Sequence, residues 1–217
     1  MKINEIISSV DKDEILRIFN KHFKYDGEIT IDDNGFISCS GVVNLVSKLS
    51  KLPVKFLKVD GDFYCSENQL TTLEGGPTSV GKWFDCSDNQ LTTLEGGPKS
   101  VGGSFYCSNN KLTTLEGGPT SVGGYFDCFN NPNLKNLNHL PSGISILYLS
   151  YSPTMPLLRC LIAKEINLYP KTNINNQIQE ILNKYAGQGR KAALDCAADL
   201  LSLGKKLGID LTMNARW

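Results

Sequence analysis

FYCSENQLTTLEGGPTSVGKW (63–83), FDCSDNQLTTLEGGPKSVGGS (84–104) and FYCSNNKLTTLEGGPTSVGGY (105–125) are one 21-residue unit written three times, with 15 of 21 positions identical in all three. A fixed period of this length marks a solenoid, in which each unit buries its apolar face only against its neighbours. Residue type assigns the roles within a unit. Phe63 and Cys65, two apart, point inward from a short strand, and Leu70 and Leu73 fill the core beneath it. Asn68, Asn89, Asn110 and Asn131 recur three residues after each cysteine, where the chain turns away from the strand. A buried amide there can satisfy backbone groups of its own coil and the next. The Gly-Gly-Pro that follows forbids a regular helix, so the far side of each coil is expected to be extended or irregular.

The pattern extends in both directions. In VNLVSKLSKLPVKFLKVDG (43–61), Val43, Leu45, Leu52 and Val59 take the places of Phe63, Cys65, Leu73 and Val80, with one residue missing between Leu45 and Leu49. FDCFNNPNLKNLNHLPSGI (126–144) is a further relative, and Ile146–Ser150 reads as a sixth strand. Repeats thus occupy 42–152. Before them, 1–41 read as a cap. A helix is expected over 1–24, with Asp11 and Glu14 as a capping box and Ile15, Leu16, Phe19 and Phe23 on one face. A hairpin then turns at Asp33-Asn34-Gly35. Residues 153–217 read as a helical cap. Its stripes are Ile174, Ile178, Ile181, Leu182 and Tyr185, then Ala193, Leu194, Ala197, Leu200 and Leu201, after a first helix over 156–164.

The 22 basic and 22 acidic side chains cancel, which removes a global electrostatic case for nucleic acid or membrane. Locally the balance differs: residues 60–131 carry a net −6 and residues 156–217 a net +4. The array is therefore expected not to bind nucleic acid. No stretch approaches the ~18 apolar residues of a membrane span, and the N-terminus lacks the pattern of a secretory signal. Four of the seven cysteines (Cys65, Cys86, Cys107, Cys128) recur at the repeat period, so they read as stacked small hydrophobes rather than disulfides or metal ligands, which fits a reducing, cytoplasmic setting.

The string L-x-C-x-x-N-x-L-x-x-L, with Phe in the first slot, resembles the leucine-rich repeat, and Leu140-Pro141-Ser142-Gly143-Ile144 before a strand resembles its short bacterial subtype. The resemblance implies an α/β leucine-rich-repeat solenoid: a curved parallel sheet of about six short strands, an irregular convex side and helical caps at both ends. LPVKFLKVDGDFYCS (52–66), TTLEGGP, NKYAGQGRKAALDCAADL (183–200) and the terminal Asn214-Ala215-Arg216-Trp217 are similar to uncharacterised leucine-rich-repeat proteins of large tailed bacteriophages. That likeness implies expression in an infected bacterial cell and names no activity.

Chemistry that would signal catalysis is sparse. His22 and His139 are the two histidines, and no Ser/His/Asp set, phosphate loop or H-E-x-x-H occurs. Cys196 with Asp199 is the one nucleophile pair that invites a ligase-like reading, on a helix whose apolar surroundings would raise the thiol pKa. No cofactor is implied. Comparing the repeats with one another is more informative, because two of the six variable positions flank the inward Phe and so face outward. One column runs Tyr64, Asp85, Tyr106, Asp127, Tyr148; a second runs Asp62, Trp83, Ser104, Tyr125, Ile146; a third runs Ser66, Ser87, Ser108, Phe129, Ser150. Aromatic rings gathered on one face are the stock of protein interfaces, although rings stacked across strands also stabilise a sheet. The interleaved aspartates repel phosphate and suit a partner bearing Arg or Lys. The expectation is a non-enzymatic module that holds a host or antiviral-defence protein on its concave face. Arg216 and Trp217 form a secondary patch. Two other classes remain: a catalytic helical cap oriented by the repeats, and a self-associating homo-oligomer.

Overall fold

A computed structural model describes residues 10–217; the first nine residues of the helix expected over 1–24 lie outside the described residues. Helix α1 (Lys12–His22) starts where Asp11 accepts a hydrogen bond from the Glu14 N–H at 2.9 Å. Glu14 does not complete a capping box, because its carboxylate is taken by Arg17 at 2.6 Å. The chain leaves α1 directly into β1 (Phe23–Tyr25), then forms the hairpin β2 (Ile29–Ile31) and β3 (Phe36–Cys39). The coils follow, each contributing two strands: β4 (Val43–Leu45) and β5 (Lys55–Val59), β6 (Phe63–Tyr64) and β7 (Ser79–Val80), β8 (Phe84–Asp85) and β9 (Ser100–Val101), β10 (Phe105–Tyr106) and β11 (Ser121–Val122). β12 (Phe126–Asp127), β13 (Ile146–Ser150) and β14 (Glu165–Tyr169) complete the set, before helices α2 (Asn173–Tyr185) and α3 (Ala193–Leu207).

The result is a parallel β-solenoid with helical caps at both ends. Its first sheet has the order β1-β4-β6-β8-β10-β12-β13-β14, and all pairs after the antiparallel β1–β4 are parallel. Of the two alternatives expected for the far side, extended or irregular, the extended one holds. Its extended segments pair into a second sheet, β11-β9-β7-β5-β3-β2, in which the repeated Ser-Val dipeptides align and the valines point inward. Proline excludes helix, but two free residues per coil suffice for a ladder once neighbouring coils share a register. The first sheet also continues beyond the six expected strands. β14 lies within the stretch expected to be helical, pairing with β13 over five residues.

The core between the sheets is a set of columns. Phe63, Phe84, Phe105 and Phe126 stack nearly parallel, with successive centroids 5.5, 5.2 and 5.4 Å apart. Phe56, Phe23 and Phe19 continue the aromatic line into the N-terminal cap. Beside it run Cys65, Cys86, Cys107 and Cys128, all buried and unpaired to one another, with thiols that burial raises far above their usual pKa. Each repeat asparagine bridges to the preceding coil rather than to the following one. Asn89 Oδ1 accepts from Leu70 N–H at 2.8 Å, while its Nδ2 donates to the carbonyls of Cys65 and Cys86 at 2.9 and 3.1 Å. Asn110 and Asn131 repeat the pattern one and two coils on. Glycine allows the coils to stack this closely: a side chain on Gly102 would collide with the Gly81 carbonyl oxygen.

Open sheet edges invite further strands. Here β1 covers one edge of the first sheet, and α2 covers the other. Asn183 accepts from Ile166 N–H at 2.7 Å and donates back to its carbonyl at 2.9 Å, while Gln179 accepts from Leu168 N–H at 2.9 Å. The helical stripes hold in part: Ile178, Ile181, Leu182 and Tyr185, and Ala193, Ala197 and Leu200, pack on the core. In α2, Ile178 and Leu182 are buried, but Ile174 is exposed and Asn175 takes the inward place, donating to the Pro170 carbonyl at 2.7 Å. In α3 the buried face is Ala193, Cys196, Leu200 and Leu203, whereas Leu194 is 85% exposed and Leu201 lies on the solvent side. A short 3-10 turn, Leu158–Ile162, replaces the helix expected over 156–164.

Candidate functional site

Register places the outward positions. Tyr64, Asp85, Tyr106, Asp127 and Tyr148 are direct Cα partners across adjacent strands, so the first column expected from the sequence forms one line on the solvent face of the first sheet. Asn44 precedes it and Asn167 extends it. The inward neighbours Phe63 to Phe126 are fully buried, as a two-residue alternation requires.

The second column is uneven. Trp83 and Tyr125 are 49% and 40% exposed, but Ser104 between them is buried. The indole rests on bare backbone of the next coil, since a methyl group on Gly103 would sit 2.6 Å from Trp83 Cδ1. Asp62 and Ser104 have structural work as well: Asp62 Oδ1 accepts from Trp83 N–H at 2.8 Å, and Ser104 Oγ accepts from Tyr125 N–H at 3.0 Å. Asp85 and Asp127 do likewise within their own coils, each accepting from the N–H two residues on at 2.9 Å. Such side chain-to-backbone turns brace the chain as it leaves the strand in these two coils. In the third column Ser87 and Ser108 are buried, bonded hydroxyl to hydroxyl at 3.2 Å.

The rings converge toward the C-terminal coils. Tyr106, Tyr125, Phe129 and Tyr148 surround Asp127 and line an open hollow of about 500 Å³ together with Tyr169. Tyr125 meets Tyr148 edge-on at 5.9 Å, and Phe129 meets Tyr169 at 5.1 Å. Tyr169 is the ring that reading the sequence misses. Its signal is the alternation of EINLY (165–169), which repeats that of ILYLS (146–150) and puts Tyr169 beside Ser150. Burial, and then the charge of Asp85, raise the Asp127 carboxyl above the ordinary carboxylate range, against the Phe129 N–H and the Ser108 hydroxyl that hold it down. Burial also raises Tyr148, followed by its neighbours Tyr125, Tyr169, Glu165 and Asp127. Tyr64 and Asp62 lie apart from this cluster, with Tyr64 on the rim of a second hollow lined by Asn44 to Lys48.

The secondary patch separates into two fates. Trp217 is half-buried on the cap, near Leu158, Ala193 and Ala197, while Arg216 is exposed and its carbonyl accepts from Leu158 N–H at 3.1 Å. Asn214 fastens this tail: fully buried, it donates to the carbonyls of Ser152 and Met155, each at 2.9 Å. Asp199 is not placed to activate the Cys196 thiol. The Cys196 thiol is buried and pushed up to about 12, first by burial and then by Asp199, whose carboxylate is engaged by Lys184 at 2.8 Å and Tyr185 at 2.7 Å. Among the described residues no group of three His, Cys, Asp or Glu side chains is placed to hold a metal ion, and no helix is long and apolar enough to cross a membrane.

Comparison with protein-family models, with curated proteins and with solved structures finds no match for this chain.

Proposed function

We propose that the chain is a non-enzymatic recognition module that holds another protein on the outer face of its first sheet. The observation that carries this is the register-locked band of rings, with Trp83 and Tyr125 standing 49% and 40% exposed on either side of the small, buried Ser104. Aromatic side chains bury large areas at low entropic cost and dominate binding hot spots. Cross-strand ring contacts account for Tyr125, Phe129, Tyr148 and Tyr169, each of which meets another ring of the set; they do not account for Trp83, whose neighbours in the column are Asp62 and Ser104. The likeness of the 52–66 and 183–200 segments to phage proteins supports a host or defence-system protein as the partner, bound and blocked in the infected cell.

The test compares capture from bacterial lysate, and then affinity for the purified captured protein, across three forms of the full chain. Trp83→Ala with Tyr106→Ala should weaken binding at least ~30-fold, the effect of losing one hot spot worth about 2 kcal/mol. Leu57→Ala, an exposed residue of the second sheet, should bind as the parent does. Equal affinity of the double variant, with an unchanged melting temperature, would refute the assignment of the face.

A further inference from the structure

We propose that the hollow around Asp127 is the seat for an arginine side chain of the partner protein, an inference that rests on the sheet face being a protein-binding surface. The hollow is lined by Tyr106, Tyr125, Phe129, Tyr148 and Tyr169 together with Asp127. Ring faces attract cations through their quadrupoles, and the attraction grows where water is thinned. One ring of the set already does this: Lys171 Nζ lies 4.6 Å from the Tyr169 centroid, held there by Asn167 Oδ1 at 3.1 Å and Gln179 Oε1 at 2.7 Å.

The charge balance points the same way. Among the described residues no lysine or arginine pairs with Asp127. A carboxylate offers roughly four lone-pair sites. The Phe129 N–H takes one, at 2.9 Å, while the Ser108 hydroxyl nearby donates to Ser87 at 3.2 Å. Neighbouring Asp85 adds like charge, and Glu165 stands beside Tyr148. A half-buried anion in this position gains from an incoming cation on two counts, relief of repulsion and new donors.

Arginine fits better than lysine. Its planar guanidinium stacks on ring faces while its fork of donors meets a carboxylate. Two ring pairs stand at steep angles, 74° for Tyr125–Tyr148 and 63° for Phe129–Tyr169, while Tyr148 and Tyr169 are tilted by 32°, so a flat group entering beside Tyr125 or Phe129 meets the edge of the next ring. About 500 Å³ accommodates such a side chain with room for water.

The experiment titrates the full chain, carrying ring-labelled tyrosine, with three capped peptides identical except for arginine, citrulline or trimethyllysine at the centre. The arginine peptide should shift the ring signals of Tyr125, Tyr148 and Tyr169 but not of Tyr64. Citrulline, which keeps the shape and loses the charge, should bind at least fivefold more weakly, and Asp127→Asn should erase that difference. Absent ring shifts, equal binding of arginine and citrulline, tighter binding of trimethyllysine, or an unaltered preference in Asp127→Asn would each overturn the seat. The captured partner separates the two levels. Binding lost in Trp83→Ala with Tyr106→Ala but kept in Asp127→Asn sinks the arginine seat alone, whereas binding kept in both sinks the recognition face itself.

Discussion

Asp127 shows how one residue serves the fold and the surface together. Its side chain braces the chain as it leaves a two-residue strand by taking the Phe129 N–H, and the same geometry holds a carboxylate among rings. Because burial raises its pKa in the folded chain, the folded state holds that proton more tightly than the unfolded state. Its contribution therefore favours folding in acid and is lost as pH climbs through the raised pKa. Asparagine keeps the turn without the charge. Asp127→Asn should melt higher than the parent at pH 7, and the gain should vanish near pH 3, below the ordinary aspartate range of ~3.9. A thermal melt at the two pH values checks this; an equal gain at both would mean the charge is not under strain. The sequence made this column legible because alternation along a strand is a rigid rule. It did not reveal that Ser87, Ser104 and Ser108 are buried, nor that Asp62 and Ser104 accept backbone N–H groups, since a small polar side chain reads the same whether it faces water or a neighbouring N–H.

Among the elements, the coil-to-coil asparagine ladder does most to fix register. Asn89 joins two coils through Leu70 N–H and the Cys65 and Cys86 carbonyls, all in a buried setting. Asn89→Ala strands these groups, so unfolding free energy should fall by roughly 2–4 kcal/mol in a denaturant titration. A loss below about 1 kcal/mol would show that water or slippage replaces the bridge. The asparagine role was readable from its spacing to cysteine, although the bridge runs back to the preceding coil. The second sheet was hidden, because two-residue strands carry no alternation to detect and proline pointed only away from helix. The α3 face is legible only in part, for a related reason. Ala193 and Leu194 offer two candidate phases, and the packing of Cys196, Leu200 and Leu203 selects the one that leaves Leu194 in water.

For the whole molecule, stacking identical units makes the coils interchangeable. Residues 84–104 meet the coils on both sides through the same Phe stack, asparagine bridge and Ser-Val pairing that join their neighbours to each other. Deleting 84–104 should therefore leave a cooperative fold, with a denaturant m-value reduced in proportion to the surface removed. Loss of cooperativity would mean that this coil holds contacts the ladders do not describe. The same deletion keeps the Asp127 hollow and changes the number of coils between Tyr64 and Tyr125, a direct handle on how the partner spans the face. The capped ends belong to this scale as well: α2 closes a sheet edge with amide side chains, which favours a finite solenoid over end-to-end strand pairing.

Hydroxyl-radical footprinting of the chain alone and in complex with its captured partner bears most directly on the recognition face, because the readout is the aromatic side chains themselves. Oxidation of Trp83, Tyr106, Tyr125, Tyr148 and Tyr169 should fall on binding, while Tyr151 and Tyr185, which lie outside the face, keep their reactivity. Protection confined to Trp217 and the C-terminal cap, or to the second sheet, with Trp83 and Tyr125 left as reactive as in the free chain, would contradict it.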